Sequence, residues 1–313
     1  EPIAWACRAD HEPAVRAGST RTDLTMTTRA LRPPGRSTAS STPHLIIRPR
    51  GRFTPVDLAE LWAFRDLIAT FAIRDIRLRY RQTALGIIWV VLQPLLGALI
   101  FTFVFGRVAH LPSEGVPYIV FAYVGLLGWN VFSGIVTRAS ASLTSAGSMV
   151  SKIYFPRLAL PLSVLGSVLL DFAIALVVQA GFLLAYGVDP GWHIALLPVW
   201  LLLTIGLATG LGLATSALAA RYRDIQYIVP LLLQLLTFAS PVGYSVANIP
   251  QDVRWTAGIN PLTGILQGFR WSLLGRGSIS FNEIVLSAAA AVGSLVIGVI
   301  VFTSMERELA DVI

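Results

Sequence analysis

Four arginines, Arg74, Arg77, Arg79 and Arg81, fall within eight residues, with Tyr80 between the last two and Gln82 after them. Guanidinium forks match the oxygens of phosphate groups, so the cluster has the chemistry of an anion-binding surface. Arg74, Arg77 and Arg81 share one helical face at i, i+3, i+7, while Leu61, Phe64, Ile68 and Phe71 share another. Asp75 and Arg79 form an i,i+4 pair in the favourable order. The segment 57–82 therefore reads as an amphipathic helix lying along lipid headgroups, with Trp62 and Phe64 dipping inward. A charged juxtamembrane helix that only anchors the chain accounts for the same residues equally well.

Other chemistries fail on missing residues. Lys152 is the only lysine, and it stands between Ser151 and Ile153, so no G-x-x-x-x-G-K-[ST] phosphate loop exists in this chain. His11, His44, His110 and His193 are scattered, which leaves no metal-binding spacing. Cys7 is alone and excludes an internal disulfide. No G-x-S-x-G elbow is present, and the spans hold no carboxylate pair. The expectation is a chain with no catalytic residues, no metal and no cofactor of its own.

The elements that must position the arginines follow from composition. Of 313 residues 55% are hydrophobic and only 13% charged, with a mean hydropathy of +0.69, against about 25% charge in a soluble domain. Six segments reach the roughly 20 apolar residues that a bilayer demands: 84–105, 117–136, 158–186, 192–219, 225–246 and 284–304. Asp171 is the one formal charge within them, and an intramembrane carboxylate is a functional candidate by default. Residues 259–274 are apolar but short and interrupted by Arg270, and Asn260-Pro261 reads as a cap and first turn. This stretch is assigned to a re-entrant or interfacial hairpin.

The expected fold is thus an all-α integral membrane protein. An amphipathic interface helix (57–82) precedes six transmembrane helices (84–304), with the hairpin before the last span and a cytoplasmic tail (305–313). Residues 1–50, rich in Arg, Ser, Thr and Pro, read as a disordered extension. Met26, followed by Thr27 and Thr28, is a candidate start of translation behind an extension of residues 1–25. Counted from residue 46 onward, fourteen basic residues fall on one side of the six spans and four on the other, which puts both termini in the cytoplasm. The formal net charge of +7 is then a topological marker, not a nucleic-acid footprint.

Longer motifs add a family. Arg74-Asp75-Ile76-Arg77-Leu78-Arg79-Tyr80-Arg81-Gln82-Thr83-Ala84-Leu85-Gly86 leads to Trp89, Gln93-Pro94 and the run 101–106. Pro117-Tyr118, Gly125-Leu126, Trp129, Phe132-Ser133, Ser151-Lys152-Ile153-Tyr154-Phe155-Pro156-Arg157, Leu160-Pro161 and Asp171-Phe172 follow. Arg221-Tyr222-Arg223-Asp224, Ser240-Pro241-Val242, Asn260-Pro261, Phe269-Arg270-Trp271 and Leu274-Gly275 complete the series. In this order, from about residue 58 to the C-terminus, the chain resembles the membrane subunits of ABC-2 type polysaccharide exporters, the O-antigen and teichoic acid export permeases.

The resemblance implies a homodimer of six-span subunits in a bacterial inner membrane. Each subunit is attached to a separate nucleotide-binding ATPase, which holds ATP and Mg, and the complex exports a polyprenyl-pyrophosphate-linked glycan. Arg74, Arg77, Arg79 and Arg81, with Tyr80 and Gln82, would then form an entrance collar for the pyrophosphate. The loop 137–157, through Ser142, Leu143, Ser145, Ser148, Lys152, Tyr154, Phe155 and Arg157, would carry a coupling helix that docks on the ATPase. Phe101, Phe103, Tyr118, Phe121, Trp129, Phe132 and Tyr244 would line a glycan conduit, since sugar C–H faces pack on aromatic rings. Asp171 would be structural, hydrogen-bonded or ion-paired with a basic residue of the 247–283 region. Asn260, Pro261, Arg270 and Trp271 would form an external gate. An ABC-2 permease for drug or lipid efflux is the runner-up, and an ion-coupled secondary carrier is the reading from another class.

Overall fold

The computed structural model describes residues 62–81, 88–146, 155–277 and 279–305. The extension 1–50 and the tail 306–313 lie outside the described residues. Among the described residues all regular structure is helical. The arginine cluster is on α1 (Arg65–Arg81). Next comes α2 (Ile88–Phe101), continued by a π-helical stretch, Thr102–Val108. Then follow α3 (Tyr118–Ser145), α4 (Ala159–Tyr186), α5 (Leu197–Arg221), α6 (Ile225–Ala239), α7 (Arg254–Ile259), α8 (Pro261–Leu274) and α9 (Phe281–Met305).

Five stretches have the length and apolarity of a membrane span: Ile88–Val108, Tyr118–Ser145, Ala159–Tyr186, Gly191–Arg221 and Phe281–Met305. The sixth apolar helix, α6, has 15 residues, roughly 22 Å at 1.5 Å per residue against a bilayer core of about 30 Å. The expected fifth span to residue 246 is therefore shortened. Ser240 is extended (φ −101°, ψ 149°), the conformation toward which the ring of Pro241 biases the residue before it. The second span is longer than expected, since α3 runs on past residue 136 to Ser145 and carries Arg138 within the helix.

The bundle is centred on α3, which packs against α4, α5 and α8. Phe121, Tyr123, Phe132 and Ile135 are at most 1% exposed. The small residues of α5 serve a contact within the chain. Gly210 lies so close to α9 that a Cβ there would stand 2.2 Å from the Ser294 backbone carbon. Gly206-x-x-x-Gly210 is thereby accounted for by helix packing inside the subunit.

Helix α1 docks on α4. At the crossing, a Cβ on Gly166 would stand 2.7 Å from the Cβ of Ala72, so glycine is what allows the approach. Phe71 enters a small core with Leu143, Phe155, Leu160, Leu213 and Phe302, a burial worth about 2 kcal/mol. Much of the apolar face of α1 thus rests on protein, whereas Trp62 at its start is exposed.

Residues 259–274 are helical as expected, the end of α7 turning at Asn260 into α8. Eleven of the 14 residues of α8 are buried, which makes it an interior helix. Asn260 starts it by accepting from the Leu262 N–H, and Gly275 (φ +63°) ends it.

Candidate functional site

The described arginines of the collar have three different fates. Arg77 is exposed. Arg74 donates to Asp75 at 3.1 Å, and its guanidinium lies 5.1 Å from the Phe71 ring centre. Arg79 turns into the protein and donates through Nη1 to Oδ2 of Asp171. The side chains of Tyr80 and Arg81, and all of Gln82, lie outside the described residues.

Asp171 is 12 residues into α4, roughly 18 Å from its start. Its Oδ2 also accepts from Nη2 of Arg138 at 2.6 Å, while Nη1 of Arg138 donates to Ser167 Oγ at 2.9 Å. The expected partner from the 247–283 region is replaced by Arg138 and Arg79. The reason is the extra length of α3: a helix that continues past residue 136 carries Arg138 alongside α4 instead of into a loop. Side-chain exposures of 17% for Asp171, 29% for Arg138 and 38% for Arg79 make this a half-buried ion cluster. A charge on a span is tolerated where it faces the bundle interior or a cavity and finds a partner.

Two cavities flank the cluster. One, of about 340 Å³, is lined by Arg74, Asp75, Arg79, Arg138, Ser142, Ser145, Ser163 and Ser167 together with Leu78, Leu160 and Val164. The other, of about 290 Å³, is lined by Arg79, Gln93, Asn130, Ser133, Thr137, Arg138 and Asp171 together with apolar side chains. Arg79 and Arg138 are walls of both. On α3 the lining residues Asn130, Ser133, Thr137, Arg138, Ser142 and Ser145 recur at helical spacing and form a polar stripe down an otherwise apolar helix. Sequence reasoning missed Gln93, Asn130, Arg138 and Ser167 as site residues. The stripe was the available signal, hidden by assigning Arg138 to a loop.

The expected conduit aromatics divide into groups. Phe121, Trp129 and Phe132 are buried within the subunit, packed among helices, and do not line an open path. Phe103 is 61% exposed on the outer face of the π-helical turn. Phe101 and Tyr244 both meet Phe105 edge-on, at 5.5 and 6.3 Å, and the Tyr118 hydroxyl donates to the Gly243 carbonyl at 2.7 Å. Burial pushes the Tyr244 phenol above its ordinary value, opposed by the nearby Arg270 charge, and its hydroxyl donates to Phe238 O at 3.1 Å.

The expected coupling residues are likewise dispersed. Ser142, Leu143 and Ser145 belong to the end of α3, not to a separate helix. Leu143 and Phe155 are buried in the core under α1 and have no surface to offer a partner. Ser145 is exposed and Arg157 half-buried. Ser148, Lys152 and Tyr154 lie outside the described residues.

At the other end of α3 the expected gate residues act as interior fasteners. Arg270 is 3% exposed. It donates to the carbonyls of Val242 at 2.8 Å and Tyr244 at 3.0 Å, with its guanidinium 4.0 Å from the Phe121 ring centre. Asn260 donates to Ser240 Oγ at 2.9 Å, and the Pro261 carbonyl accepts from Ser287 at 2.7 Å. Trp271 packs edge-on against Trp192 and His193. The contacts of Arg270 and Asn260 tie segment 240–245 to α8, so Arg270 is a clamp on backbone carbonyls, not a side chain standing in an opening.

Comparison with known proteins agrees with the layout. The family model described as ABC-2 type transporter matches residues 66–274. An O-antigen export system permease protein RfbA of Myxococcus xanthus is 29% identical over 80% of this chain and 97% of its own length. A protein of the same name from Klebsiella pneumoniae is 27% identical over 79% of this chain and 95% of its own. The polysialic acid transport protein KpsM of Escherichia coli is 25% identical over 62% of this chain and 76% of its own.

Proposed function

The chain belongs to the ABC-2 type transporter family, and on that premise we propose that it is the membrane permease of a polysaccharide exporter. Its cargo in this reading is a lipid-linked polysaccharide of the O-antigen or teichoic acid kind, moved out of the cytoplasm across a bacterial inner membrane. The observation that carries the proposal is that this chain aligns over 95–97% of the length of permeases named for O-antigen export. The motor is a separate ATPase subunit binding ATP and Mg, a division of labour that the missing Walker lysine requires if ATP drives transport.

Two copies of the chain enclose the conduit, and both termini face the cytoplasm. Moving Arg138 from a loop into α3 and Arg270 into α8 leaves thirteen basic residues on one side against three on the other, so the asymmetry that supports this orientation persists. The cavities between α1, α3 and α4 then open toward the cytoplasmic leaflet, and Arg77 is exposed on the same α1. The polyprenyl pyrophosphate meets the guanidiniums there by charge-assisted hydrogen bonds. The ATPase docks on the segment from Ser145 to Arg157, with Ser148, Lys152 and Tyr154 as its contacts.

Deletion of the gene tests the assignment. Surface polysaccharide should disappear while lipid-linked polymer accumulates inside the cell, and the wild-type gene should restore export. Unchanged surface polysaccharide together with new drug sensitivity would instead support an efflux permease.

A further inference from the structure

Arg138 and Asp171 carry an inference beyond the collar, one that rests on the export reading. We infer that Arg79 and Arg138 form the diphosphate-binding pair of the cleft and that Asp171 occupies it in the resting protein, so that a lipid-borne diphosphate enters by displacing the protein's own carboxylate. Two guanidiniums from different helices, α1 and α3, converge on one oxygen of Asp171. Such a convergence is the geometry of an anion site, and a diphosphate offers more oxygens and more negative charge than the carboxylate it would replace.

Three further observations favour a ligand over a simple fastening. First, there is room: cavities of about 340 and 290 Å³ lie on either side of the pair, and both guanidiniums belong to the walls of each. Second, the charge is unbalanced. Arg74, Arg79 and Arg138 line this space against Asp75 and Asp171, three cations to two anions. Third, the amides of Gln93 and Asn130 line the second cavity as neutral donors, while the hydroxyls of Ser142, Ser163 and Ser167 in the first donate to carbonyls of their own helices and turn oxygen lone pairs to the space. A fastener between α1 and α4 needs neither the second arginine nor the open space around it.

Arg138 is the residue that this assigns newly to substrate binding. Arg79, near the end of α1, exchanges its ion pair on α4 for the ligand. Occupancy thus replaces a contact between interface helix and span by a contact between interface helix and cargo. Ser167, holding the second nitrogen of Arg138, acts as a positioning residue for that guanidinium.

The test uses the full chain together with its ATPase subunit, in phosphatidylcholine nanodiscs, with farnesyl diphosphate, inorganic pyrophosphate and phosphatidylglycerol as probes. Arg138→Gln should weaken farnesyl diphosphate binding at least about tenfold, and Asp171→Asn should strengthen it several-fold by removing the internal competitor. Pyrophosphate competing with farnesyl diphosphate places recognition in the diphosphate itself. Farnesyl diphosphate binding without such competition requires the lipid-borne form, and both results uphold the site. Competition by phosphatidylglycerol at equal strength, normal binding in Arg138→Gln, or weaker binding in Asp171→Asn overturns it. If Arg138→Gln does not assemble, Arg79→Gln and Asp171→Asn give the same opposed pair of shifts. Polysaccharide export that still depends on this gene while these shifts are absent refutes the diphosphate pair and leaves the permease assignment standing.

Discussion

Arg138 on α3 and Asp171 on α4 stand 33 residues apart in the chain, and their side chains meet at 2.6 Å between Nη2 and Oδ2. The pair joins two spans, and Arg79 brings the interface helix to the same carboxylate. Partial exposure keeps the energy moderate. Thermal unfolding in detergent should give a coupling of about 1–2 kcal/mol between Arg138→Met and Asp171→Leu, with the double variant more stable than the sum of the singles implies.

The docking of α1 depends on Gly166. A leucine there forces its first carbon against Ala72, 2.7 Å away in the present geometry, and the two helices must separate. Gly166→Leu should leave the spans inserted while trypsin cleaves at Arg74 and Arg77 several times faster than in the wild type. An unchanged digestion rate would mean that α1 is not held where it lies.

Gly210 makes a different contact, because its neighbour is the backbone of α9 and cannot move aside as a side chain does. Gly210→Val should cost about 1–3 kcal/mol or prevent assembly. At permissive temperature the oligomeric state should be that of the wild type, since the contact lies within one subunit. A selective change in oligomeric state would place the α5 glycines at a contact between subunits instead.

Arg270 should tolerate no substitution by lysine. An ammonium lacks the fork that reaches the Val242 and Tyr244 carbonyls together, and a buried carbonyl left without a donor costs about 1–3 kcal/mol. Arg270→Lys should lower the unfolding midpoint and speed thiol labelling of a cysteine placed at Asn248. Labelling at the wild-type rate would mean that the segment 240–250 is held by other contacts.

Much of this architecture was legible in the residues, and the misreadings share one cause. The apolar runs marked six spans, of which five have spanning length in the structure and one is the shorter helix α6, because length and apolarity are what a bilayer selects. Charge was taken as the end of a span, which placed Arg138 in a loop and sought the partner of Asp171 in the wrong segment. In the structure the arginine and the carboxylate compensate each other, so a charge on one helix is explained only by a residue on another. The aromatic series misled in a similar way. Phe121, Trp129 and Phe132 carry the same residue types as a sugar-binding surface, yet they fill the centre of the bundle, and only packing separates these roles. Conversely, Ser240-Pro241 announced the early end of α6, but continuing apolarity masked a backbone rule that was readable.

The central claim is tested most directly in proteoliposomes holding this chain and its ATPase subunit, loaded on one side with lipid-linked polysaccharide. The quantity measured is glycan accessible to a membrane-impermeant lectin on the opposite side. The account predicts that accessibility rises with ATP, requires both proteins, and falls sharply when Arg77 and Arg79 are reversed to glutamate. Glycan that stays behind while ATP is hydrolysed, or that crosses on an ion gradient without ATP, would contradict it.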